Sequence, residues 1–130
     1  MTSFTARVQA NEGGFVENRE VPITHTLVTS TSMGGANVAY TVREGVNIKV
    51  QRLSVANTSA SPANLSMHGV PDGGAAALGN TEMGAITIPA NTSVDLTDMV
   101  GGFYTEKMQL RFFASVASVL VVHGWAEEIL

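Results

Sequence analysis

Apolar and polar residues alternate through most of this chain, β-branched side chains fill many of the apolar positions, and no segment sustains a helical period. The alternation predicts strands over residues 24–30, 38–42, 46–57, 64–70, 85–89, 93–96, 108–114 and 118–127. Residues 4–9 read as a short strand or extended arm, and residues 10–22 as a polar loop. Val46, Ile48 and Val50 share one parity, whereas Leu53 and Val55 share the other. One residue has slipped out of register, which predicts a bulge or bend near Gln51 and Arg52. Within 64–70, Leu65 and Met67 are expected inward, with Ser66 and His68 outward. Met108, Leu110 and Phe112 form the inward row of 108–114. In the last segment Val119 and Val121 lie on one face, and Leu120 and Val122 on the other. That is the pattern of a strand buried on both faces, which in a single sandwich means the centre of the core plus a second contact such as a subunit interface.

Turn chemistry separates these runs. Ser32-Met33-Gly34-Gly35, the cluster from Asn57 to Pro62, Pro71-Asp72-Gly73-Gly74, Ala90-Asn91-Thr92 and Gly101-Gly102 all have turn composition, and residues 75–83 read as a small-residue loop. About eight to nine short strands with such punctuation indicate an all-β fold. The expected architecture is an antiparallel, jelly-roll-like β-sandwich over residues 23–130, preceded by an extended N-terminal arm over residues 1–22.

Composition adds a bias toward association. Hydrophobic residues make up 45% of the 130, but charged residues only 14%, against roughly 25% in an ordinary soluble domain. Sparse surface charge defends poorly against contact with other protein. The net charge of −4 disfavours nucleic acid as a partner. Residues 1–52 hold five basic and four acidic groups, and residues 53–130 two basic and seven acidic. Arg43, Lys49 and Arg52 either face an acidic protein partner or guard a strand edge. The chain has no cysteine, so disulfides and thiolate chemistry are excluded. No secretory signal is visible at the N-terminus, and the longest apolar stretch, residues 116–122, is far short of a membrane span. Synthesis in the cytosol as a soluble protein is expected.

Candidate chemistry is thin. His25, His68 and His123 fall on separate predicted strands without metal-ligand spacing. Asp95 with Asp98, and Glu127 with Glu128, are sequence neighbours and read as solvated charges, since glycoside hydrolysis needs carboxyls facing across a cleft. No serine lies in a Gly-x-Ser-x-Gly elbow, and the Gly-Gly pairs at 13–14, 34–35, 73–74 and 101–102 lack phosphate-loop spacing. Asn57, Asn64 and Asn91 sit in glycosylation sequons that read as turn polarity. Trp125, the single tryptophan, is either an interface anchor or core. Phe103-Tyr104 and Phe112-Phe113 pose the same choice. The expectation is a protein that is not an enzyme and uses no cofactor, metal or small-molecule substrate.

The wording of the second half is more specific. Val50 to Pro62 (Val-Gln-Arg-Leu-Ser-Val-Ala-Asn-Thr-Ser-Ala-Ser-Pro) is followed by Leu65-Ser66-Met67-His68-Gly69-Val70-Pro71-Asp72-Gly73-Gly74. Then come Ile86-Thr87-Ile88-Pro89-Ala90-Asn91-Thr92 and Val121-Val122-His123-Gly124-Trp125-Ala126-Glu127. This order resembles small β-sandwich structural proteins of tailed bacteriophage virions, either capsid decoration (cement) proteins or tail-associated proteins. Where such proteins often carry a Pro-Gly-Asp-type turn, this chain has Tyr104-Thr105-Glu106-Lys107. The resemblance implies a virion location after assembly in the host cytoplasm. It also implies a homotrimer that binds the major capsid protein, without nucleic acid or membrane. Candidate contact residues are Phe4, Val8, Phe15 and Val16 in the arm, with Arg43, Tyr104, Phe113 and Trp125 in the sandwich. A tail, neck or baseplate component is the alternative within the same family. A carbohydrate-binding module using Trp125 or Tyr104 is the alternative from another class.

Overall fold

The computed structural model of the chain describes residues 18–100 and 102–129. Nine strands cover most of them: β1 (Arg19–Val28), β2 (Asn37–Thr41), β3 (Asn47–Asn57), β4 (Ala63–Val70), β5 (Thr81–Ile88), β6 (Ser93–Asp95), β7 (Phe103–Tyr104), β8 (Gln109–Ala114) and β9 (Leu120–Ile129). Three single-turn 3-10 segments sit in the connections, and among the described residues no helix is long and apolar enough to cross a membrane.

All pairings are antiparallel and form two sheets. Sheet A has the order β1-β9-β3-β6, with β7 also on β3, and sheet B has the order β2-β8-β4-β5. The hydrogen-bonded neighbours are nested: first with last, second with penultimate, third with β6 and β7, and β4 with β5. Folding such a nested ribbon over itself gives the jelly-roll sandwich. The expected fold class is therefore the observed one.

The core is what the alternation promised. Ile23, Ile48, Leu53, Val55, Leu65, Met67, Ile88, Leu110, Phe112, Leu120 and Val122 are all buried between the sheets. The register of β3 against β9 shifts between Val50 and Arg52, where the change of parity placed a bulge. A second shift, in β1 between Ile23 and Thr26, leaves His25 as an extra residue opposite His123.

Three expectations need correction. Residues 19–22, read as loop, already belong to β1, because Val21 and Ile23 alternate inward across the apparent polar run. Strand β5 starts at Thr81 instead of residue 85, since two register shifts against β4 scramble its alternation. His68 is buried, not solvent-facing. It does point to the outer side of sheet B, but the connection 71–80 closes over it, with Ala77 O and Asn80 Oδ1 each 3.1 Å from His68 Nδ1. Strand β9 buries Leu120 and Val122 completely between the sheets, as its alternation implied, and leaves Val121 half-buried on the face where a second contact was expected.

Candidate interaction surface

The outer face of sheet A follows from register and parity. Directly opposed residues on neighbouring strands project to the same side. The pairings therefore set out four rows across the strands. Glu20, Glu127, Lys49 and Phe103 form the first, and Pro22, Trp125 and Arg52 the second. His25, His123, Ser54 and Asp95 form the third, and Leu27, Val121, Ala56 and Ser93 the fourth.

Apolar side chains are unusually prominent here. Leu27 is 45% exposed, Trp125 38% and Phe103 64%. Trp and Arg side by side, with charged residues toward one end, is the composition enriched where protein surfaces meet. Polar contacts hold the face in shape. Lys49 Nζ lies 5.5 Å from the centroid of the Phe103 ring, and Gln51 Nε2 donates to Glu127 Oε1 at 3.5 Å. The His25 and His123 rings stack at 4.3 Å with an interplanar angle of 12°. At the β6 end, Asp95 accepts from Thr97 N at 2.9 Å and Thr97 Oγ1 at 2.6 Å, which lowers its carboxyl pKa below the usual value. Thr97 Oγ1 in turn accepts from Leu53 N, so this turn closes part of the free edge of β3.

The sheet edges, by contrast, are guarded. β1 carries Arg19, Glu20, Pro22 and a bulge, β2 is five residues long with a register shift, and β5 has two shifts. β6 and β7 are three and two residues long. Short, charged, proline-bearing or bulged edges resist strand addition. Among the described residues the face of sheet A, unlike the edges, is open to a partner.

A charged clamp closes one end of the barrel-like interior. Glu128 is 1% exposed and faces inward on β9. Arg43 donates to it twice, Nε to Oε2 at 2.8 Å and Nη2 to Oε1 at 3.0 Å, and Arg19 Nη2 lies 3.1 Å from Oε1. The hydrogen bond to Glu128 raises the Arg43 pKa further above its ordinary value. Tyr40 beside it is raised mainly by burial and then by the Glu128 charge. The clamp ties β1, β9 and the β2–β3 connection together.

The sequence candidates are distributed unevenly over these features. Trp125 stands on the open face. Tyr104 does not: it is 2% exposed, its hydroxyl donates to Glu82 Oε1 at 3.1 Å, and it belongs to the core. Being opposite the buried Ile48 turns it inward, and its neighbour Phe103 is the exposed member of the pair. The guanidinium of Arg43 is engaged by Glu128 of its own chain. Phe113 is half-buried on the outer side of sheet B, its ring stacked on His68 at 5.6 Å. Phe4, Val8, Phe15, Val16 and the rest of the arm up to residue 17 lie outside the described residues. Leu27 is on the face without having been singled out; only cross-strand register, which one strand's pattern does not contain, groups it and Val121 with Trp125. Among the described residues no three His, Asp or Glu side chains gather to hold a metal ion. Of the three histidines only His25 and His123 meet.

No family model matches the chain, and no curated protein matches it. Among solved structures it is similar to a chain of the T13 IBDV viral particle, with 9% identity and a TM-score of 0.49. The similarity covers 95% of this chain and 35% of that one, so this chain spans about a third of the length of that neighbour.

Proposed function

We propose that this protein is a structural subunit of a tailed-bacteriophage virion, and that it acts as a capsid decoration protein. The observation that carries the proposal is the open, aromatic outer face of sheet A, with Trp125, Phe103, Leu27 and Val121 on a rigid jelly roll whose edges are guarded. Docking on another protein buries the apolar area of such a face. The low charge content and the ordered series of virion-like sequence motifs support the same reading. In this role the subunit binds the assembled shell through surface burial and resists its rupture without chemistry. Its partners are its own copies and the major capsid protein. A position in the tail, neck or baseplate is the finer alternative within the same proposal.

Jelly rolls also serve as lectin domains, and an exposed tryptophan is a sugar-stacking platform. The burial of Tyr104 removes one of the two aromatic groups that a carbohydrate-binding reading had available. Binding of the purified protein to heads that lack it tests the proposal. Wild type should saturate the heads, and the double variant Trp125→Ala, Phe103→Ala should bind at least about tenfold more weakly while keeping its fold. Unchanged binding by the double variant, or a glycan-array hit that depends on Trp125, defeats it.

A further inference from the structure

We infer that the outer face of sheet A pairs with the same face of a second copy of this chain, about a two-fold axis that runs along the strands between β9 and β3. The inference rests on the reading of this face as a protein-docking surface and adds the occupant.

The face is complementary to itself in charge and shape. Rotation about such an axis exchanges β9 with β3, and β1 with β6 and β7, while each row stays opposite itself. In the first row Glu127 then meets Lys49 of the second copy, and Glu20 meets the Phe103 end. In the second, Trp125 meets Arg52 of the second copy, a cation over an aromatic face. In the third, His25 meets Asp95, and in the fourth Val121 meets Ala56 and Leu27 meets Ser93. Each contact occurs twice, as a two-fold interface requires. Acids and His25 lie on the β1 and β9 side, and Lys49 and Arg52 on β3. Only Asp95 adds negative charge beyond them, and it is the residue that faces His25. No row places like charges opposite one another. Large residues fall on small ones in the fourth row, Val121 and Leu27 against Ala56 and Ser93.

The dimensions are sufficient. Strands of ten or eleven residues in a sheet about four strands wide make a face of roughly 33 by 19 Å. Two such faces packed about 10 Å apart offer roughly 600 Å² of plane on each side, at the lower end of the ~600–1,000 Å² per partner of a standard interface. A three-fold assembly uses a heterologous contact between two different patches. The outer side of sheet B away from residues 71–80 remains free for that contact and for the shell, so substitutions at Trp125 and Phe103 weaken head binding by removing the avidity of the paired copies.

The test exploits the fact that Lys49 and Glu127 pair between copies. Sedimentation equilibrium of the intact chain should show a dimer. Lys49→Glu and Glu127→Lys should each weaken it about 100-fold, because each homodimer then opposes like charges twice. An equimolar mixture of the two single variants should recover the dimer, since both intermolecular pairs are again complementary in the heterodimer. The two residues are also neighbours within one chain, and that local mismatch persists in the mixture, so a folding defect does not recover on mixing. A wild type that stays monomeric, single variants that dimerise normally, or a mixture that stays monomeric each overturn the two-fold pairing. If pairing fails while heads still bind in a Trp125-dependent way, the docking reading stands and only its occupant changes. If the dimer forms and heads are not bound, the virion role falls instead.

Discussion

Replacing Gly124 by alanine should cost far more stability than any other single methyl group added to a glycine of this domain. Gly124 lies on β9 opposite Leu53, next to the β3 bulge. A Cβ there overlaps the Arg52 carbonyl oxygen and stands 2.9 Å from the Arg52 carbonyl carbon and 3.0 Å from Leu53 Cα. These are backbone atoms, so no side-chain rotation relieves the clash. β9 must move away from β3, and these are the two central strands of sheet A. Overpacking costs about 1–3 kcal/mol, and an immovable obstacle belongs at the upper end. Weakening one ladder hydrogen bond adds about 1 kcal/mol. The total is roughly 3–4 kcal/mol, a large share of the ~5–15 kcal/mol by which domains are stable. An unfolding entropy near 2.1 cal/mol/K per residue makes each kcal/mol worth about 4 °C in a chain of 130 residues, so Tm should fall by about 12–15 °C. The control is Gly84→Ala on the edge strand β5, where a Cβ meets nothing within 4 Å; it should be neutral or stabilising by about 0.5 kcal/mol. Thermal melts followed by far-ultraviolet circular dichroism decide the matter. A Gly124→Ala protein melting within about 3 °C of wild type, or losing no more than Gly84→Ala, refutes the reasoning.

Other consequences follow from the clamp, the capped turn and the covered histidine. Glu128→Ala should destabilise by roughly 2–3 kcal/mol in urea titration. That is below the ~3–5 kcal/mol of a fully buried broken pair, because the Arg19 and Arg43 side chains are 64% and 52% exposed and regain water. Asp95 has a folded pKa below its unfolded one, so its contribution is present above about pH 4 and is lost as pH falls through the folded value. Asp95→Asn should therefore lower stability at pH 7 and flatten its decline in acid, read by urea midpoints at a series of pH values; an unchanged acid slope counts against the Asp95–Thr97 turn. Asn80→Ala removes a side chain that bonds Ala75 O, Ala77 N and the His68 ring. It should make residues 71–80 markedly more sensitive to limited proteolysis while moving Tm little.

Much of the fold was legible in the sequence because a sandwich strand with one solvated face writes its parity into the chain. The change of parity after Val50 even located the β3 bulge. Legibility failed where the period of two was interrupted or where a loop returned over a sheet. The double irregularity of β5 hid its first half. Covering by residues 71–80 made His68 a buried residue on a nominally outer face. Glu128 shares parity with Leu120, Val122 and Ala126, which marks it as inward, but its adjacent acid Glu127 made the pair look like a solvated charge run. The candidate surface was legible in pieces, as Trp125, as the cations Lys49 and Arg52, and as Phe103 beside Tyr104, but not as one face. Its other members are brought together by pairing among β1, β9, β3 and β7, which are distant in sequence, and Tyr104 was chosen where its outward neighbour Phe103 carries the exposed ring.

The virion role is tested most directly by quantitative mass spectrometry of purified virions from a phage that encodes this chain. It predicts the chain in stoichiometric amount, on the order of hundreds of copies per particle and in fixed ratio to the major capsid protein, as lattice symmetry requires. A few dozen copies or fewer move it to the tail. Absence from the particle contradicts the claim that this jelly roll is a virion building block.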